Sequence, residues 1–288
     1  MANYSIWMLE YAHCLIQPVG SLLAGQFNAG TQILTFSYLV LEGEGHIAMV
    51  DVGYNYADYG RDLSDHFGVI DWQSPEKVLA KIGKKPEDID SIFLTHAHFD
   101  HMGNLMAFPN AHFYLQKREI NEWLWAFSLP ERFKFLTQAT DPADILNAVK
   151  LTTEGRMTLP DGPVENIIPG VTIQPIFDSH TFGSQLVIIN NHDGDWVVAG
   201  DVAYQYANLE GLNGDGNYVP IGFGVGSQVN MMLALEEMMK ITDFDTSRII
   251  VGHDADSWNR YPSWKTEDDG LYVAEISLAP NTKSKIPD

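Results

Sequence analysis

Thr95-His96-Ala97-His98-Phe99-Asp100-His101 packs three histidines and an aspartate into six residues directly after the aliphatic run Ser91–Thr95. Such a run reads as a strand, so the cluster sits where a strand opens into a loop. His96 and His98 are two apart in extended chain and can point to the same side. Asp100 and His101 follow as the chain turns toward a helix near Met102-Gly103-Asn104. Imidazole suits zinc, iron, nickel or copper, and a carboxylate terminates or bridges a harder divalent ion. A cluster of unrelated surface histidines explains this spacing less well than a metal does.

One segment supplies too few donors for two ions, and three further residues supply the remainder. His180 lies in Phe177-Asp178-Ser179-His180-Thr181, Asp201 follows Trp196-Val197-Val198-Ala199-Gly200, and His253 follows Ile249-Ile250-Val251-Gly252. Each stands at a strand-to-loop junction, where a sheet can present a ligand with little mobility. Singly, each reads as structural; beside the first cluster they complete a set. His13, His46, His66, His112 and His192 have no such context and read as packing or surface residues.

In order and context, His96-x-His98-x-Asp100-His101 with His180, Asp201 and His253 resembles the metallo-β-lactamase superfamily. The likeness runs from the strand end Val50-Asp51-Val52-Gly53 to His253-Asp254. It implies an α/β fold, a four-layer αββα sandwich of two mixed sheets flanked by helices. It also implies two divalent metal ions, zinc first, with iron, manganese or cobalt as alternatives. His96, His98 and His180 would hold one; Asp100, His101 and His253 would hold the other, with Asp201 bridging. Asp51 matches the family's carboxylate that orients a ligand histidine through its other ring nitrogen.

Within the superfamily the chain is most similar to the N-acyl homoserine lactone lactonases. Leu9-Glu10-Tyr11-Ala12 and the loop through Ser21-Leu22-Leu23 resemble theirs, and Tyr204, three residues after Asp201, matches a tyrosine that hydrogen-bonds the substrate carbonyl. The chain also stops soon after His253, without the helical domain of the glyoxalase II proteins. The resemblance implies hydrolytic opening of a lactone. Two ions roughly 3.5–4 Å apart would bind a bridging water and bring its pKa from about 15.7 toward 7, giving a hydroxide that attacks the carbonyl. Tyr204 would then stabilise the oxyanion, with Asp100 or Asp201 carrying the proton. The alternatives are hydrolysis of a thioester, a cyclic amide or another small ester, and, more remotely, an iron-dependent thiol or persulfide dioxygenase. The segment Ser179-His180-Thr181-Phe182-Gly183-Ser184 departs from the more usual Gly-His-Thr-Pro-Gly-His, and Phe182 in place of proline could reshape one pocket wall.

Composition narrows the partners. The 288 residues carry 17 Lys plus Arg against 38 Asp plus Glu, a net charge of −21, which repels a phosphate backbone and argues against nucleic acid. With 45% hydrophobic residues a sizeable core is expected. The apolar runs are too short to cross a bilayer, and the N-terminus lacks a secretory pattern. The single Cys14 reads as buried and structural, and it fits a reducing, cytoplasmic setting. The expected partner is a small molecule with an apolar or aromatic part, with no membrane contact; a homodimer is compatible.

Strands are expected at Ile33–Leu41, His46–Val52, Ser91–Thr95, His112–Leu115, Val171–Phe177, Gln185–Ile189, Trp196–Ala199 and Arg248–Val251. Helices are expected after the Ser74-Pro75 cap to about Ile82, and over Gln116–Phe127, Asp141–Val149 and Ser227–Ile241. Residues 1–288 read as a single domain, with an aromatic-rich helical insertion around 117–150. Its Trp123, Trp125, Phe127, Phe133 and Phe135 either pack on the core or wall an apolar pocket. The glycine-rich stretch Asn208–Ser227 is either a mobile border of the site or a surface excursion.

Overall fold

A computed structural model describes residues 1–287. Fourteen strands form two sheets: β1 (Ser5–Pro18), β2 (Thr31–Gly43), β3 (His46–Val50), β4 (Val69–Ile70), β5 (Ser91–Phe93), β6 (His112–Tyr114), β7 (Met157–Thr158), β8 (Val164–Ile168), β9 (Val171–Pro175), β10 (Gln185–Asn191), β11 (Gly194–Val198), β12 (Ile249–Ile250), β13 (Ser263–Lys265) and β14 (Tyr272–Ser277). The larger sheet runs β13-β14-β1-β2-β3-β5-β6-β7, with β4 added to β1; the smaller runs β12-β11-β10-β9-β8. Both mix parallel and antiparallel pairs, with β3, β5, β6 and β7 parallel to one another and β11 parallel to β12.

Side-chain alternation builds the layers. On β2, Leu39 and Leu41 point into the space between the sheets, where they meet Tyr4, Ile6, Phe93, Ile173, Val187 and Val198. Tyr38 and Val40, one residue out of phase, point the other way into a core shared with Trp7, Leu9, Val78, Ile120 and Ile145. Val78, Ile120 and Ile145 come from the helices Pro75–Ala80, Lys117–Phe127 and Pro142–Thr153. The smaller sheet's outer face is covered by Tyr206–Glu210 and Gln228–Ile241, through Leu209, Ala234, Leu235 and Met238. The result is helix, sheet, sheet, helix, a mixed α/β fold of four layers.

Most expected elements appear with ends displaced by a few residues, but the helix expected from near Met102 instead runs Phe99–Met102, so Asp100 and His101 lie within it. The first strand, Ser5–Pro18, was not anticipated: its first eight residues are all buried, so it carries an apolar run in place of alternation. It lies between β14 and β2, in the interior of the larger sheet. Strands β13 and β14 and the helix Asp58–Phe67 were likewise not foreseen. The helix from Pro75 ends at Ala80, because Lys81–Gly83 close as turns. Among the described residues no helix is long and apolar enough to cross a membrane.

The glycine-rich stretch is tied down along its length. Asn208 donates to the carbonyls of Leu22 and Val219, Val225 N to His180 O, and Ser227 N to Asp178 O. Gly226 lies so close to the Ser179 and Asp178 carbonyls that any Cβ there would overlap backbone. Gly226→Ala is therefore expected to destabilise the fold by about 1–3 kcal/mol, the usual cost of overpacking. Urea unfolding measures it, and an unchanged midpoint would contradict the packing described.

Candidate metal centre

Five chain segments deliver the site's side chains from strand ends. Val50 of β3 leads into Asp51, Phe93 of β5 into Thr95–His101, Pro175 of β9 into His180, Val198 of β11 into Asp201, and Ile250 of β12 into His253. In mixed sheets of this kind, the loops beyond such strand ends are where ligands gather.

The side chains form two groups that share one member. His96, His98, His180 and Asp201 bring donor atoms within 4.8 Å of one another, and so do Asp100, His101, Asp201 and His253. Asp201 divides its oxygens between them. Oδ2 lies 3.3 Å from His180 Nε2 and 3.6 Å from His96 Nε2. Oδ1 lies 3.0 Å from His253 Nε2 and 3.1 Å from His101 Nε2. Within the first group His180 Nε2 is 2.9 Å from His98 Nδ1; within the second, Asp100 Oδ2 is 3.4 Å from His101 Nε2 and 3.7 Å from His253 Nε2.

The donor set fits divalent metal ions on its chemistry. All seven side chains are at least nine-tenths buried, and His96 Nε2 has no hydrogen-bond partner among the described residues while aimed at its group. A buried, unpaired polar atom is costly unless something binds it. Burial and the neighbouring histidines hold His96 far below the ordinary imidazole range and push His98 down to about 3. Burial likewise brings His180 to about 4. These three imidazoles are thus neutral, the form that binds a metal. In the second group burial opposes charge, but Asp201, Asp100 and Asp51 hold His101 well above its usual value. Burial would raise Asp201, yet His101, His253 and His96 keep it well below the usual carboxylate range.

Surrounding residues fix the ligands. Asp51 accepts from Thr95 N at 2.7 Å and Thr95 Oγ1 at 2.8 Å, and pairs with His101 Nδ1 at 2.8 Å. Its backbone has a φ of 63°, a left-handed conformation held where the chain leaves β3. His253 Nδ1 donates to Thr35 O at 2.7 Å, and Tyr11 donates its hydroxyl to Asp100 O at 2.7 Å. Glu119, fully buried, accepts from Ala97 N and Gly183 N beside the first group. Tyr11 lies in the segment singled out by resemblance, but Thr35 and Glu119 escaped sequence reading: a backbone carbonyl has no signature, and Lys117-Arg118-Glu119 looks like a solvated helix start.

A cavity of about 240 Å³ opens onto His98, Asp100, Asp201 and His253. Leu22, Leu34, Phe36, Phe67, Phe99 and Phe223 make it apolar, Tyr204, Asp100 and Asp201 also line it, and Gln17, Ser21, His66 and Gln138 add polar groups. His66, read as a packing or surface residue, is exposed and also lines the cavity. The aromatic segment divides: Trp123 is buried 5.7 Å from the His98 ring, whereas Phe135 is exposed and meets Phe223. Phe182 packs on Trp123 at 5.1 Å and is not among the cavity's lining residues. Cys14 is buried and donates to Phe67 O.

Residues 30–253 match the model of the metallo-beta-lactamase superfamily. The chain belongs to that superfamily. It is 28% identical over 211 residues to a protein of Mycobacterium tuberculosis named a probable metallo-hydrolase, a match that covers 67% of this chain and 64% of that relative. This chain therefore spans somewhat under two thirds of the length of that relative. An N-acyl homoserine lactonase of Azorhizobium caulinodans is 24% identical over 291 residues, 92% of this chain and 97% of its own. Among solved structures, a quorum-quenching N-acyl homoserine lactone lactonase superposes with a TM-score of 0.65 at 19% identity, over 89% of this chain and 95% of that one. A dizinc quorum-quenching lactonase in complex with a product gives 0.64 at 18% identity, over 96% and 95%. These superpositions confirm the fold.

Loss of the Asp51 carboxylate should weaken the group built on Asp100, His101 and His253. Asp51→Asn is expected to lower the affinity of that group for a divalent ion by roughly 10- to 100-fold, read by competition with a chelating dye. Equal affinities in variant and parent would remove Asp51 from this role.

Proposed function

We propose that the protein is a metal-dependent hydrolase that opens a lactone ring, with His96, His98 and His180 holding one divalent ion, Asp100, His101 and His253 the other, and Asp201 bridging. The observation that carries this reading is the placement of Asp201, one oxygen toward each histidine group, in the lining of an apolar cavity beside Tyr204. A bound metal pair supplies Lewis acidity toward a carbonyl and acidifies water to near-neutral pKa.

The chain's own residues supply the remainder. The Tyr204 ring stands edge-on to His180 and His253, at 5.7 and 5.2 Å between centroids. Burial, then Asp201 and Asp100, hold its phenol well above the usual range, so it stays protonated and acts as a donor. A preorganised donor at the substrate carbonyl stabilises the charge that develops on its oxygen. Asp100 and Asp201 are the carboxylates that line the cavity, placed to take a proton and pass it to the leaving ring oxygen. Leu34, Phe36 and Phe99 exclude water and favour a substrate with a compact apolar or aromatic part. The same arrangement serves a thioester, a cyclic amide or another small ester; the lactone reading rests on Tyr204 and on the likeness to lactonases. Four donors in each group favour a metal pair over the single iron of a dioxygenase.

Metal analysis of the purified protein should find about two ions per chain, and a lactone panel should show acid release that His101→Ala abolishes. A single iron with oxygen uptake would overturn the hydrolase. Tyr204→Phe should cut kcat on the order of 100-fold with metal content unchanged, and a parental rate would eliminate its oxyanion role.

A further inference from the structure

The helix Lys117–Phe127 lies outside the ligand segments, yet one of its side chains reaches both loops of the first histidine group. Glu119 is fully buried, and no Lys or Arg is paired with it among the described residues. It accepts four hydrogen bonds. Oε1 takes Ala97 N at 2.9 Å and Trp123 Nε1 at 2.8 Å; Oε2 takes Thr181 Oγ1 at 2.9 Å and Gly183 N at 2.5 Å.

These donors are placed with purpose relative to the ligands. Ala97 is the residue between His96 and His98, and Thr181 immediately follows His180. Trp123, held by the same carboxylate, backs the His98 ring at 5.7 Å. Gly183 approaches the Glu119 backbone so closely that a Cβ would overlap it, so this contact needs glycine. Burial raises the Glu119 carboxyl, and the four donors converging on its two oxygens oppose that by favouring the ionised, acceptor-only form. A buried charge is retained when it is fully hydrogen-bonded.

We propose that Glu119 is a positioning residue that sets the spacing between the His96–His98 loop and the His180 loop, and thereby the affinity of the first metal site alone. Asp51 does the corresponding work for the second site, on the other side of Asp201. The inference rests on the two-ion reading above but not on any substrate. Glutamine at 119 would turn one N–H2 toward the Gly183 and Thr181 donors or toward Ala97 and Trp123, opposing donor to donor.

The test is titration of the metal-free protein with Zn2+ and Co2+, with the absorption of bound Co2+ as a second readout and near-UV circular dichroism as a check of folding. Glu119→Gln should lower the affinity of one equivalent by roughly 10- to 100-fold, the usual range for loss of a ligand-supporting partner, and leave the other at its parental value. Combined with Asp51→Asn it should weaken both equivalents, since the two carboxylates serve different sites. Thr181→Val, which removes one donor and keeps the carboxylate, should cause a smaller loss at the same equivalent and keeps the test open if Glu119→Gln does not fold. Parental affinity at both sites in a folded Glu119→Gln or Thr181→Val protein would overturn the proposal, as would equal loss at both sites. A parent protein that binds no second equivalent would instead defeat the two-ion reading itself.

Discussion

Asp201 is a single buried carboxylate facing four imidazoles beside the cavity, and the rest of the centre is arranged around that constraint. Its two oxygens serve opposite groups, so this one side chain belongs to both. Burial makes each uncompensated charge expensive and strengthens each pairing. Asp51, Asp100 and Asp201 together provide three acidic groups against neutral imidazoles of the first group, an environment suited to cations.

The sheets make this arrangement rigid. Each ligand leaves a strand whose neighbours are paired on both sides or whose end is held by backbone bonds such as Asp51 N to Phe93 O and Val52 N to His101 O. Around the ligands, support comes from unlike sources: a carboxylate at Asp51, a backbone carbonyl at Thr35, a phenol at Tyr11 and a helix-borne carboxylate at Glu119. Ligand orientation in metal sites depends on such partners as much as on the ligands.

That these seven side chains would come together was legible because metal chemistry restricts residue type and strand ends restrict spacing; His96 to His101 announces itself, and His180, Asp201 and His253 follow once it has. The sandwich was legible through its alternating and aliphatic runs. What sequence hid has physical reasons. Strand β1 shows no alternation because both of its faces are covered. Glu119 sits in a charged triplet and is distinguished only by what surrounds it in space. The wall residues Leu34, Phe36 and His66 come from segments distant in sequence, and the cavity they line exists only after β2 and the helix Asp58–Phe67 have docked.

The position of β1 bears on how the chain is made. Its partners are β2, which follows it directly, the two-residue β4 near its far end, and β14, which comes after all seven clustered side chains in chain order. During synthesis the ligand loops therefore leave the ribosome while one side of β1 still presents unpaired amides and carbonyls. Such an edge is a template for pairing with another chain. Residues 272–277 thus act late as a closing seam, and the nascent protein is most exposed to aggregation in the interval before that seam is sewn.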